Sequence, residues 1–102
     1  AGDWVIVSGQ GPIDTQGRIV PGSIESEVRL TLENVRRLLE AAGARMDQVV
    51  KCTCYLADIA DFPAFDAAYR AAFGTTLPAR TTVEAGLAGI KVEIAAMAQV
   101  GS

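Results

Sequence analysis

The sequence predicts a two-layer α+β domain, a mixed β-sheet with two helices packed on one face. Two stretches repeat apolar residues at helical spacing, and several others run apolar or alternate with period two. Their order along the chain is β, loop, α, β, α, β, β. A third observation is length: 102 residues leave room for one domain, spanning 1–102.

The first element is "DWVIVSGQ" (3–10), a continuous apolar run ended by Ser8-Gly9, which reads as a buried strand. "GPIDTQGRIVPGS" follows with the glycines and prolines of turns, and a short strand is expected at 18–20. In "SIESEVRLTLENVRRLLEAAG", Ser23 is placed to cap a helix. Ile24, Val28, Leu32, Val35, Leu39 and Ala42 form its apolar stripe, and Gly43 closes it. "QVVKCTCYLAD" (48–58) is a strand, with Val50, Cys52, Cys54 and Leu56 expected on the buried side and Val49, Lys51, Thr53 and Tyr55 on the other. "DIADFPAFDAAYRAAFG" is a second helix. Asp61 is expected to cap it, Pro63 suits its first turn, Phe65, Ala68, Tyr69 and either Ala72 or Phe73 face inward, and Gly74 stops it. "ARTTVEAG" and "KVEIAAMAQV" are two further strands. The short link between them suggests antiparallel neighbours.

Helices on one face leave the other face of the sheet to be covered. Val7, Thr53, Thr82 and Ala95 are expected to line it, and a trimer or other closed oligomer would bury it. Half of the residues are apolar, so a core can form, but a chain this small buries a modest share of its surface and gains from assembly.

Composition narrows the function. The net charge is −3 and no basic patch occurs; Arg36 and Arg37 are balanced by Glu33 and Glu40. This argues against a nucleic-acid partner, which clustered Lys and Arg would have to hold. There is no histidine, so the commonest general base and metal ligand is missing. Cys52 and Cys54 stand two apart on a strand, share a face and are badly placed to bridge. They read as small buried hydrophobes, and no metal site is expected. No apolar run is long enough to span a bilayer and no signal peptide is seen, so no membrane partner is expected and a cytoplasmic location is the default.

The residues that could carry chemistry are few. Arg80 follows Pro78 at the mouth of a strand, and its planar fork of donors fits a carboxylate. By period two it shares a face with Thr82 and Glu84, and an ion pair with Glu84 or with an acid of a neighbouring subunit is the plainer reading. Glu93 is the one acid in an otherwise apolar strand. It falls on the face opposite the helices, where a buried carboxylate would suit acid–base work. Its plainer reading is an exposed residue or a partner of Lys91 or Arg80. Gly9, after Ser8, permits a close backbone or ligand approach.

Taken together, these segments resemble the RidA/YjgF family of small trimeric proteins, along nearly the whole chain. "VIVSGQGPID" resembles its first strand and turn, and "TLENVRRLLEAAGARMDQVVKCTCYLADIADFPAFDAAYRAAF" its central block. "PARTTVEA" resembles its signature and "VEIAAMA" its last strand. The resemblance implies a chorismate-mutase-like α+β fold and a homotrimer with ligand sites between subunits. It also implies hydrolysis of reactive 2-imino or enamino acids, such as 2-aminoacrylate, to 2-keto acids and ammonia, without metal or cofactor. In that scheme Arg80 clamps the substrate carboxylate and Glu93 positions or activates water. Ser8, Gly9 and the backbone at Thr82 contact the ligand.

Four departures from the family pattern stand out. The family's usual N-terminal segment, with a Gly-Pro-Tyr tyrosine that lines the cleft, is lacking before Ala1. Thr82 stands where a cysteine is common, and Asp66 where an asparagine is common. The link from Arg80 to Glu93 is slightly shorter than in deaminating members. The alternative function is a non-catalytic binder of small carboxylates or keto acids in the same cleft. An endoribonuclease or translation inhibitor, a label some relatives carry, fits the acidic charge and missing histidine poorly.

Overall fold

The computed structural model describes residues 3–101; the two ends of the expected 1–102 domain lie outside the described residues. Four strands form one sheet: β1 (Asp3–Gln10), β2 (Val49–Leu56), β3 (Ala79–Glu84) and β4 (Val92–Val100). Two helices, α1 (Ile24–Ala41) and α2 (Phe62–Phe73), cover one face. The fold is the two-layer α+β arrangement expected from the sequence.

The strand order is β1-β4-β2-β3. β4 is antiparallel to both β1 and β2, and β3 runs parallel to β2 at the far edge. The last two strands are therefore not neighbours, contrary to the antiparallel pairing expected from their short link. The link instead crosses the end of β2. Ala85 donates its N–H to the Leu56 carbonyl (2.9 Å), and Ala57 donates to that of Lys91 (3.0 Å). The chain is thus carried from one side of β2 to the other. There the apolar β4 gains a partner on both edges, and every second residue, Val92, Ile94, Ala96 and Ala98, is buried.

α1 forms because its apolar residues recur at helical spacing and its first turn is capped. Ser23 Oγ accepts from the Ser26 N–H (3.1 Å). Ile24, Val28, Leu32, Val35 and Leu39 are buried against the sheet, as the stripe predicts. Ala42 is not; it caps the C-terminus, before Gly43 turns the chain with φ +87°. α2 departs from expectation at its start. Asp61 makes no capping bond; Asp58 does, accepting from the Ala60 N–H (2.9 Å) and closing the 3-10 turn Ile59–Asp61 that leads into the helix. Phe65, Tyr69 and Phe73 are buried. Arg18–Val20 forms no strand, only a bridge of Ile19 with Ile13.

Which side chains of β2 face the core is corrected by an irregularity in its pairing with β4 between Val49 and Lys51. An extra residue there reverses the alternation. Val49 is buried and Val50 is exposed, while Cys52, Cys54 and Leu56 are buried as expected. The opposite sheet face carries Thr53 and Ala95, as predicted, but not Val7 or Thr82. Val7 pairs with Ala96 and Thr82 with Cys54, both core positions, so both point towards the helices. Trp4 (51% exposed), Ile6 (71%) and Val83 (42%) leave this helix-free face apolar and open.

Candidate functional site

Two separate places hold the predicted site residues. The first is the β3 edge. Arg80 is paired with Cys52 on β2, whose side chain lies in the core under the helices, so Arg80 also points to the helix side. Its guanidinium lies over an aromatic ladder on α2. The Cζ atom is 4.7 Å from the centre of the Tyr69 ring, 5.2 Å from Phe62 and 5.4 Å from Phe65. These are cation–π distances, attractive because the ring faces are electron-rich. Phe62, Phe65, Asp66 and Tyr69 share one helical face through their i, i+3, i+4, i+7 spacing. Asp66 therefore meets the same guanidinium: Arg80 Nη1 donates to Asp66 Oδ1 at 2.8 Å. Arg70, one turn on, donates through Nε to Asp66 Oδ2 at 3.0 Å. The hydrogen bond from Arg80 holds the Asp66 carboxyl below the usual carboxylate range. A pocket of about 170 Å³, lined by Tyr69, Arg70, Leu77, Pro78 and Arg80, opens beside this cluster.

The Arg80 side chain stays 18% exposed, and Nη1 to Asp66 is its only hydrogen bond among the described residues. The other donors of the fork remain available to a ligand. The plainer partner, Glu84, is engaged elsewhere and accepts from the Ile59 N–H at 2.9 Å. Beneath Arg80, the hydroxyls of Tyr69 and Thr82 are buried without a conventional partner. They face the thiols of Cys52 and Cys54, which are weak hydrogen-bonding groups. Burial pushes the Cys52 thiol up and that of Cys54 up to about 12, so both are inert packing residues.

The second place is the helix-free face beside β1. Glu93 pairs with Tyr55, out of phase with the core residues Val92 and Ile94. Its register with β1 is broken between Val7 and Gln10, and this is where Ser8 and Gly9 lie. A side chain at position 9 would collide with Glu93: a Cβ there would sit 2.8 Å from the Glu93 Cδ. The missing Cβ is what lets the carboxylate lie on the strand. None of the ion pairs among the described residues includes Glu93. Lys91, its plainer partner, is held by Glu27 at 3.2 Å instead.

The structure thus joins Glu93 with Gly9, and Arg80 with Thr82, but keeps the two pairs apart. The expectation that Arg80 and Glu93 share a face of one chain is overturned. Arg80 belongs to the Cys52–Ala96 row on the helix side and Glu93 to the Tyr55 row on the open side. The cause is register: β3 sets Arg80 beside the core residue Cys52 and β4 sets Glu93 beside Tyr55, while β2 lying between β3 and β4 keeps the two apart.

Two further polar residues brace the site. Asn34, buried on α1, donates to the Gly11 and Ile13 carbonyls, both at 2.9 Å, and pins the loop after β1. Glu27, 1% exposed, accepts from the Lys91 N–H at 2.8 Å and the Gly22 N–H at 3.2 Å, fixing the approach to β4. Sequence reasoning missed the buried bracing role of Glu27 and the meeting of Asp66 and the aromatic ladder with Arg80. The helical spacing of Phe62, Phe65, Asp66 and Tyr69 was the available signal for that meeting. Among the described residues no group of His, Cys, Asp and Glu could hold a metal ion, and no helix is long and apolar enough to cross a membrane.

A single sheet with one apolar face bare, an arginine at one edge and a glycine-seated glutamate near the other defines a small two-layer α+β domain. Comparison with known proteins makes the class specific. The profile of the endoribonuclease L-PSP family matches residues 1–100. A RutC family protein of Pyrococcus horikoshii is 44% identical over 85 residues, 82% of this chain and 68% of that protein. The 2-iminobutanoate/2-iminopropanoate deaminase of Salmonella typhimurium is 38% identical over 102 residues, 95% of this chain and 80% of that enzyme. The crystal structure of Escherichia coli TdcF with bound serine superposes with a TM-score of 0.89 at 32% identity, covering 98% of this chain and 83% of that one. The chain belongs to the endoribonuclease L-PSP, or RidA/YjgF, family.

Proposed function

We propose that this protein hydrolyses reactive 2-imino and enamino acids to 2-keto acids and ammonia at a cleft formed between two copies of the chain. Arg80 of one copy clamps the substrate carboxylate, and Glu93 of the next, beside its Ser8 and Gly9, positions water. The observation that carries this reading is the separation of Arg80 and Glu93. They sit on opposite faces, one near each edge of the sheet, so only a second copy can bring them together. The bare apolar face with Trp4, Ile6 and Val83 supports a closed homotrimer, because exposed apolar area of this kind favours burial between subunits. Relatives that bear the 2-iminobutanoate/2-iminopropanoate deaminase name, and one seen with bound serine, supply the substrate class: small molecules with a carboxylate next to a nitrogen-bearing carbon.

The chemistry asks little of the protein. A protonated imine carbon is already electrophilic. A water oxygen adds to it while one water proton passes to Glu93. Glu93 returns that proton to the nitrogen, the C–N bond breaks as the C=O bond forms, and the hydroxyl proton leaves on the ammonia as ammonium. Orientation and one acid–base group supply the acceleration. No step needs a metal, a cofactor or a histidine. The net charge of −3 favours this small-molecule reading over the endoribonuclease label of the family.

A second reading, a non-catalytic carboxylate binder at the same cleft, is favoured by the Asp66 carboxylate already seated on Arg80. Turnover separates the two. 2-Aminoacrylate generated in situ is expected to release keto acid and ammonia above the spontaneous rate, and Arg80→Ala and Glu93→Gln are each expected to abolish the excess. Spontaneous rates with folded wild-type protein would leave the binder.

A further inference from the structure

We propose that Asp66 is a positioning residue that sets how strongly Arg80 binds a carboxylate, acting as a built-in competitor for the guanidinium. The proposal rests on the reading of Arg80 as the carboxylate clamp. Asp66 has the chemistry of the ligand that Arg80 is expected to bind, and it occupies one arm of the fork at 2.8 Å. An incoming carboxylate then meets a guanidinium whose charge is partly neutralised and which offers its remaining donors only. The aromatic ladder bears on this as well. The guanidinium lies over three rings, so its plane is held by Phe62, Phe65 and Tyr69 as well as by Asp66. Asp66 is therefore not needed to keep Arg80 in place, and its main effect is on charge. Arg70 moderates that effect by sharing the same carboxylate through Oδ2 at 3.0 Å.

The consequence is a chain tuned for weak retention of carboxylates. A clamp with a resident competitor exchanges its ligand readily, as suits an enzyme whose product, a 2-keto acid, carries the same carboxylate as its substrate. Removing the negative charge without changing the shape should strengthen the clamp for substrate and product alike.

The test is binding of 2-ketobutyrate, a stable carboxylate, followed by calorimetry or amide NMR shifts in wild type, Asp66→Asn, Asp66→Ala and the Arg80→Ala/Asp66→Asn double variant. The expected result is about two- to fivefold tighter binding in both single variants, the range for one partly exposed ion pair, and no binding in the double variant. The spectra report folding directly, and two replacements of different shape guard against a local packing artefact. If the enzyme turns over, KM falls in Asp66→Asn while product release slows. Unchanged or weaker binding in folded Asp66→Asn overturns the proposal and makes Asp66 a support for Arg80. Absence of 2-ketobutyrate binding in Asp66→Asn overturns it equally. Because binding is read without turnover, tighter binding without imine hydrolysis would reject the deaminase and leave Asp66 in its role.

Discussion

The two faces of the sheet are built from the same strands and treated in opposite ways. On the helix side Cys52, Leu56, Ile94 and Phe65 are fully buried, and Glu27 and Asn34 there are tied to named partners. On the other side Trp4, Ile6 and Val83 stand bare, and Glu93 lies in the notch left by Gly9. The first face holds one chain together. The second has the composition of an interior and no cover from its own chain. The difference teaches where stability and the proposed function divide: the covered face fixes positions, and the bare face is the one left open for the second copy proposed above.

The contrast can be broken most severely from the covered side. Phe65→Ala removes a fully buried ring and is expected to cost about 3–5 kcal/mol, read as a lower urea midpoint. Ile6→Asp, on the open face, is expected to leave far-UV circular dichroism intact while light scattering shows loss of the oligomer. An Ile6→Asp protein that keeps its assembled mass would place the interface elsewhere.

Gly9→Ala sharpens the comparison at the notch. Its new methyl meets the flexible end of Glu93 and not backbone, so the melting temperature should move little. Turnover should fall about tenfold or more, because the carboxylate is displaced from where it presents water. Equal losses of stability and activity would mean that Gly9 serves only the strand.

The most gradual effect is expected in alkali. Burial raises the thiol pKa of Cys54 from about 9 to about 12, and raises those of Cys52 and Tyr69 as well. Above pH 9 the unfolded chain releases thiol protons that the folded chain keeps, so stability is fully present below pH 9 and falls as pH rises towards 12. Each thiol adds a slope of about 1.4 kcal/mol per pH unit at most. Cys54→Ala should flatten the curve of denaturant midpoint against pH, and an unchanged slope would show that the thiol is not the source.

Much of this was legible in the sequence. Periodicity placed both helices and all four strands, Ser23 and Gly43 marked the ends of α1, and the ordered motifs pointed to the family. What failed was governed by long-range pairing. Nothing local says that the link after Glu84 crosses the end of β2, so β3 and β4 read as neighbours and Arg80 and Glu93 as companions on one face. The irregularity that buries Val49 and exposes Val50 likewise depends on the partner strand. Asp66 was noted only as a departure from an asparagine. Its meeting with Arg80 needed the packing of α2 over the sheet edge, although its place on the face of Phe62, Phe65 and Tyr69 was already written in their spacing.

The central claim is that one functional site is assembled from two chains, and mixing tests it most directly. Arg80→Ala and Glu93→Gln, each inactive alone, would be unfolded together in equal amounts and refolded. In a trimer with random assortment, three quarters of the particles are mixed and each contains one cleft with both residues intact, so about one quarter of wild-type turnover should return. Recovery near that level, absent when either variant is refolded alone, is the expected result. No recovery from mixed trimers would contradict the account and require Arg80 and Glu93 to act within one chain or not at all.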